Sequence, residues 1–312
     1  MSVFRVVAFL FILGAAVPLG AQTRDRGPIV LELPASTRAL GLGNSFALGF
    51  GDSDALFYQP GLLDRVQGLA ASIQCYSSHA TLASLSAGRE WYGGGVGLGV
   101  QLLTYQAGSP TGSGDVELLS LPENEGSLRA PGEESVSELV ISAGYGRRVM
   151  GLRVGVVGKL LEQRYGALSA TTAAADLGIA ATPGPLTVGL AVQNLGPDLP
   201  SRGTDIPLAT RFALGASTRS APVGPLDLSL SSAVTYRLDG DVIPSLGLEV
   251  GYWPISGRTF VARLGYRHLP GESSSSPFNF GGAFFGDDLI LEYAFQGFES
   301  GNPSHRFSIG WR

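Results

Sequence analysis

The segment "PLTVGLAVQN", Pro185 to Asn194, decides how the rest of the chain reads. Leu186, Val188, Leu190 and Val192 project to one side of an extended strand, and Thr187, Gly189, Ala191 and Gln193 to the other. Successive side chains of a strand alternate faces, so this strand has one wholly apolar face and one of small or polar residues. In a soluble sandwich the apolar face turns inward. In an outer-membrane barrel it meets lipid, and the small, polar face lines the lumen.

The pattern recurs to the end of the chain. "TFVARLGYR" sets Phe260, Ala262, Leu264 and Tyr266 against Val261, Arg263, Gly265 and Arg267. "DLILEYAF" sets Leu289, Leu291, Tyr293 and Phe295 against Ile290, Glu292 and Ala294. The last strand, "HRFSIGWR", places Phe307, Ile309 and Trp311 on one face and Arg306, Ser308 and Gly310 on the other. The spacing predicts about fourteen such strands between residues 69 and 312, most near the roughly 9–11 residues that a tilted strand needs to cross a bilayer. An even number of antiparallel strands closes without an exposed edge.

Charge placement separates the barrel from the sandwich. Arg153, Lys159, Arg211, Asp227, Arg237, Glu249, Arg263, Arg267, Glu292 and Arg306 all fall on the small-residue face. A lipid-facing arginine near mid-bilayer costs about 2–4 kcal/mol, whereas a lumenal one is hydrated or paired. Tyr145, Tyr236, Tyr252, Trp253, Tyr266 and Trp311 gather toward strand ends, as girdle residues do. Connection lengths alternate as well. Long segments such as 108–134, 196–206, 269–276 and 297–304 alternate with "RVMG", "TPGP", "PISG" and "GDD". That predicts external loops at one end and periplasmic turns at the other.

Composition agrees with this class. Glycine accounts for 45 of 312 residues and charged residues for 15%, spread along the chain. The one long apolar run, Val6 to Ala21, follows Arg5 and ends in a small-residue site; it predicts a secretory signal peptide over 1–22. Cys75 is the single cysteine, so no intrachain disulfide is possible. The net charge of -5 and the lack of a basic patch exclude nucleic acid as an expected partner.

Residues 23–68 break the alternation. They are rich in glycine and small residues; Asp52 is placed to cap a short helix over Ser53–Tyr58, and "GLLDRV" predicts a second helical turn. A segment too polar for lipid that precedes the first strand is expected to fold into the lumen as a plug. The expected architecture is therefore an all-β transmembrane antiparallel barrel over 69–312 with a small helical and irregular N-terminal plug.

"RALGLGNSFALGFGDSDALFYQPGLL" resembles the opening motif of PorV/PorQ-like outer-membrane proteins, relatives of the FadL fatty-acid transporter. The resemblance rests on Arg38, Ala39, Gly41, Gly43, Asp52, Ala55, Tyr58 and Pro60. The chain departs from that pattern at Gln59, where Asn is usual, and at Gly61 directly after the proline. "GLAVQNLGP" (189–197) is similar to a mid-barrel signature ending in Asn-Leu-Gly, and 291–311 looks like the last hairpin of the same family. The resemblance implies a FadL-like barrel of PorV/PorQ type, non-enzymatic and accessory to type IX-like protein secretion at the cell surface. The alternatives are passage of long-chain fatty acids or other hydrophobic molecules, and a structural or adhesin barrel. Expected partners are outer-membrane lipid, the barrel assembly machinery through Phe307, Ile309 and Trp311, and secretion components or hydrophobic small molecules.

Enzymatic chemistry has little support. His79, His268 and His305 lie near strand ends, and only His79 with Ser77 or Ser78 offers a local nucleophile pair, without a placed acid. Metal-ligand spacing is absent. "WYGGGVGLGV" (91–100) lacks the following helix of a dinucleotide site, so no cofactor is expected, and its glycines instead predict close packing against the plug. The acidic loop 108–134, with Asp115, Glu117, Glu123, Glu125, Glu133 and Glu134 against Arg129, reads as a solvated external loop. A partner-docking or divalent-cation surface is the alternative.

Overall fold

In the segment Leu186–Leu195 the apolar side chains face out and Thr187, Gly189, Ala191 and Gln193 are buried. The whole wall repeats this arrangement. The computed structural model describes residues 27–45, 52–76, 80–107, 134–200, 205–238, 240–269, 275–298 and 303–311. The expected signal peptide (1–22), His79 with Ser77 and Ser78, and the acidic loop through residue 133 lie outside these residues.

The strands are β1 (Gly68–Cys75), β2 (Thr81–Trp91), β3 (Gly94–Ala107), β4 (Glu134–Val149), β5 (Leu152–Tyr165), β6 (Leu168–Ala181), β7 (Leu186–Leu195), β8 (Arg211–Thr218), β9 (Ala221–Val223), β10 (Leu226–Arg237), β11 (Val242–Ile255), β12 (Arg258–Arg267), β13 (Ser275–Phe285), β14 (Leu289–Phe298) and β15 (Ser304–Trp311). Each pairs antiparallel with its sequence neighbours. The three-residue β9 continues the line of β8 along β10, so the wall has fourteen staves. Closure comes from β15 against β1, with Leu69 opposite Trp311 and Ile73 opposite Phe307. No open edge remains, as a lipid environment requires.

The outward face is apolar. Phe307, Ile309 and Trp311 are 56%, 52% and 58% exposed, and Leu98, Leu160, Leu230 and Phe260 are exposed likewise. Aromatic residues form two bands. Trp91, Tyr252, Trp253 and Trp311 lie at the end where β1 begins; Phe212, Tyr236, Tyr266 and Phe278 lie at the other, with rings paired at 6.4 Å (Phe212–Tyr236) and 5.4 Å (Tyr266–Phe278).

Connections at the end where β1 begins are tight. Tyr92-Gly93 and Met150-Gly151 have positive φ at both residues (47° and 69°, 50° and 86°), the two-residue geometry that matches the right-handed strand twist. At the opposite end the expected sorting is incomplete. The β7–β8 connection is long and folds over the barrel mouth, pairing Leu199 with Ile206, whereas β5 and β6 are joined by Gly166-Ala167 alone. Strand β8 begins at Arg211, after Thr210, whose amide donates to the Leu208 carbonyl and whose hydroxyl donates to the Asn194 carbonyl.

The described residues of the N-terminal segment pack against the inward face of the barrel. They form η1 (Ile29–Leu31), α1 (Thr37–Gly41), η2 (Ser53–Phe57) and η3 (Pro60–Arg65). Two apolar clusters fix them. Near the loop end, Val30 and Leu31 pack with Leu82, Leu103, Val140 and Leu161. Near the turn end, Leu56, Phe57, Leu62 and Leu63 pack with Val157 and Ala180. The inward glycines of β3 and β5 permit this approach: a methyl at Gly95 or Gly155 would overlap the carbonyl of Leu63 or Pro60.

Candidate lumenal site

The charges on the inward face meet the lumenal segment in three groups. In the first, Arg38 of α1 pairs with Asp52 at 2.6 Å and with Glu249 of β11 at 2.9 Å. Arg263 of β12 pairs with Glu249 at 2.8 Å and with Glu292 of β14 at 2.7 Å, and Ser308 of β15 donates to Glu292 at 3.0 Å. The network thus ties α1 to three strands and the neighbouring β15. Gly41 makes room for it by lying against Gly281 of β13. Burial alone would lower the Arg38 pKa, but the carboxylates of Glu249 and Asp52 hold it above its ordinary value. Asp52 occupies the N-cap of η2 without capping it, because its carboxylate is engaged by Arg38.

The second group centres on Arg306 of β15, which is fully buried. Its guanidinium donates to the carbonyls of Pro34 and Ala35, both at 2.6 Å, to Ser72 and Ser84, both at 2.6 Å, and to Gln74 at 3.1 Å. Glu292, the acid nearest in the sequence pattern, is taken by Arg263. Both face the lumen, but Arg306 lies opposite Ala294 and Glu292 opposite Ser308, so the arginine reaches the N-terminal segment first. Next to this node the Tyr58 hydroxyl accepts from the amides of Ala35 (2.8 Å) and Ser36 (3.1 Å). Asp54 accepts from Ser86 at 2.6 Å; burial raises its pKa to about 6, and the hydroxyls of Ser86 and Ser36 partly offset that rise.

The third group runs along β5 to β12. Arg153 pairs with Asp64 of η3 at 3.1 Å, and Lys159 pairs with Asp176 at 2.7 Å and donates to Asn194 at 2.8 Å. Asn194 sits at φ 60° where the β6–β7 register shifts; its amide donates to Asp176 and its side chain to the Ala209 carbonyl. An Asn-Leu-Gly run fits here because asparagine tolerates the left-handed region and bonds locally. Arg211, Arg237 and Arg267 converge at the loop end on a cavity of about 70 Å³, with Tyr58 and Glu32 on its lumenal side. Gly43 (φ 66°) lies against the Tyr266 backbone, and Pro60 begins η3 beside Gly155.

Several interacting residues escaped the sequence reading. Glu138 is fully buried and accepts from the Val30 amide (2.7 Å), Tyr105 (3.1 Å) and Gln163 (2.9 Å). Its alternation with Val136, Val140 and Ser142 was the available signal. Asp64 and Asp176 gave no signal, since each is defined by a partner distant in sequence. Among the described residues no group of three or more His, Cys, Asp or Glu is placed to hold a metal ion.

Together these features define a closed fourteen-stranded barrel of the outer-membrane type, with the described residues 27–45 and 52–67 packed on its inward face. No protein-family model matches the chain, and no curated protein matches it in sequence. Solved structures do match. The toluene transporter TodX of Pseudomonas putida superposes with a TM-score of 0.55 at 11% identity, over 93% of this chain and 98% of TodX. The toluene transporter TbuX of Ralstonia pickettii gives 0.51 at 13% identity, over 88% and 97%. The monoaromatic hydrocarbon channel CymD gives 0.52 at 14% identity, over 89% and 96%. At such identity the likeness shows the fold alone, the barrel these channels share, and lends no support to the narrower PorV/PorQ assignment.

Proposed function

We propose that this protein passes small hydrophobic molecules across the outer membrane and is not an enzyme. The observation that carries the reading is the apolar cluster on the inward face at the loop end. Leu82, Leu103, Tyr105, Val136, Val140 and Leu161 form it, with Val30 and Leu31 packed among them. A water-filled porin has a polar lumen, so this lining favours solutes that prefer an apolar surface. The solved structures that share the barrel fold are named as toluene transporters and a monoaromatic hydrocarbon channel, which supports the same reading over a secretion role. For a solute to enter along this surface, Val30 and Leu31 have to leave the cluster.

Uptake of labelled toluene and of a labelled long-chain fatty acid into proteoliposomes tests the reading. Saturable uptake that falls when Leu103 and Val140 are replaced by Asn supports it. Absence of saturable uptake of either solute, with the barrel folded, rejects it. Loss of surface protein export on deletion of the gene would instead revive the secretion role.

A further inference from the structure

Arg211 and Arg237 stand directly opposite each other on paired strands, β8 and β10, on the lumenal face. Like charges in that position repel. Arg267, on β12 opposite Ser245, projects into the same cavity. Glu32 is the one carboxylate among the described residues lining it, and it is paired with Arg237 at 3.1 Å. The lining therefore carries three guanidinium groups and one carboxylate, a surplus of two positive charges. At the turn end, a second cavity is lined by Asp52, Asp54 and Glu292 with Arg38, a surplus of two negative charges. The two cavity linings thus carry opposite charge excesses, and the cationic one lies at the loop end.

Hydrogen-bond donors are in surplus as well. Arg211 uses its Nε on Gln193 at 2.7 Å, and its terminal nitrogens meet no acceptor among the described residues. Arg267 makes no hydrogen bond or ion pair among them. The Tyr58 hydroxyl accepts two amides and keeps its proton for another acceptor. Guanidinium groups left with open donors in a confined space favour a planar or tetrahedral anion, which several forks can grip at once. Free space of about 70 Å³ holds a small oxyanion or a few waters.

We infer that Arg211, Arg237 and Arg267, with the Tyr58 hydroxyl, form an oxyanion-binding site in the lumen at the loop end. The site stands apart from the apolar cluster, and it holds whether or not the barrel passes hydrophobic solutes. Glu32 acts as an internal competitor, since its carboxylate already occupies Arg237.

Isothermal titration of the purified full chain in non-ionic detergent, at constant ionic strength, tests this with sodium sulfate and sodium octanoate as probes. Sulfate is expected to bind one to one. Arg267→Gln should weaken it by at least about tenfold, the effect of one charge-assisted hydrogen bond. Glu32→Gln should tighten it, a gain that no merely structural role for Glu32 produces. Octanoate competing with sulfate would assign the site to the carboxylate head of an amphiphile; sulfate binding alone would assign it to a free anion. The inference falls if neither probe binds at about 10 mM. It falls too if affinity is the same in Arg267→Gln, with folding verified by heat-modifiable migration, or if Glu32→Gln does not tighten binding.

Discussion

Arg306 Nη2 donates to the carbonyl oxygen of Ala35 across 2.6 Å of space and 271 residues of sequence. Every other bond of this buried guanidinium is to a neutral acceptor as well, so the side chain joins the lumenal segment to β1, β2 and β15 without a bonded carboxylate. Arg306→Met would strand the Pro34 and Ala35 carbonyls and should cost about 2–4 kcal/mol. Limited proteolysis should then release the N-terminal segment while the barrel keeps its heat-modifiable migration. An unchanged digestion pattern would show that the apolar clusters alone hold the segment.

The Arg38–Glu249–Arg263–Glu292 chain predicts unequal effects from two arginines. Arg38→Gln leaves Glu249 paired with Arg263 and takes the Arg38 pair from Asp52, whose side chain is more exposed than that of Glu292 (22% against 13%). Arg263→Gln strips Glu292 of its only ion pair among the described residues and Glu249 of one of two. The second change should therefore destabilise more, by about 3–5 kcal/mol, since it leaves an uncompensated buried charge. Thermal unfolding in detergent measures the difference; equal shifts would contradict this ordering.

Two glycines on β5 make a matched pair. Gly155→Ala drives a methyl into the Pro60 carbonyl, whereas Gly158→Ala points outward, with nothing nearer than the Ala143 carbonyl at 4.0 Å. Gly155→Ala should displace η3 and lower the melting temperature. Gly158→Ala should be near neutral, within about 0.5 kcal/mol. Similar losses at both would mean that strand flexibility, and not the approach of η3, sets the requirement.

Asp54 predicts a pH response. Its pKa is about 6, above that of an ordinary carboxylate, so the fold favours the protonated form. The stabilising share is then fully present below the ordinary carboxylate range and is lost as pH rises through about 6. Melting of the wild type should rise between about pH 7.5 and pH 5, and Asp54→Asn should flatten that rise. A rise of the same size in Asp54→Asn would place the titration elsewhere.

The last strand carries its aromatic residues outward, where Trp311 lies opposite Leu69 and Phe307 packs on Tyr293 with ring centroids 5.0 Å apart. Trp311→Ala should reduce the amount of folded protein in the outer membrane more than Arg312→Ala. Equal surface levels, read by antibody to an external tag, would count against an assembly role for this strand end.

The sequence by itself determined the wall. Period-two alternation, with charges restricted to one face, has a single low-energy solution when the other face is apolar over fourteen segments: closure, with lipid outside. The chain-local turn pairs, such as Met150-Gly151, were equally legible because φ > 0 at both positions is a property of two adjacent residues. Pairing inside the lumen was not legible. Arg306 lies near Glu292 in the strand pattern, yet it bonds Pro34 and Ala35, because only the folded N-terminal segment brings those carbonyls within reach. Likewise the sequence marked Arg211, Arg237 and Arg267 as three lumenal charges on separate strands. Ring closure, which brings β8, β10 and β12 around one cavity, made them a cluster with Glu32 as the one carboxylate among the described residues lining it. Alternation fixes which face a side chain takes; which partner it meets there depends on register, curvature and the segment folded inside.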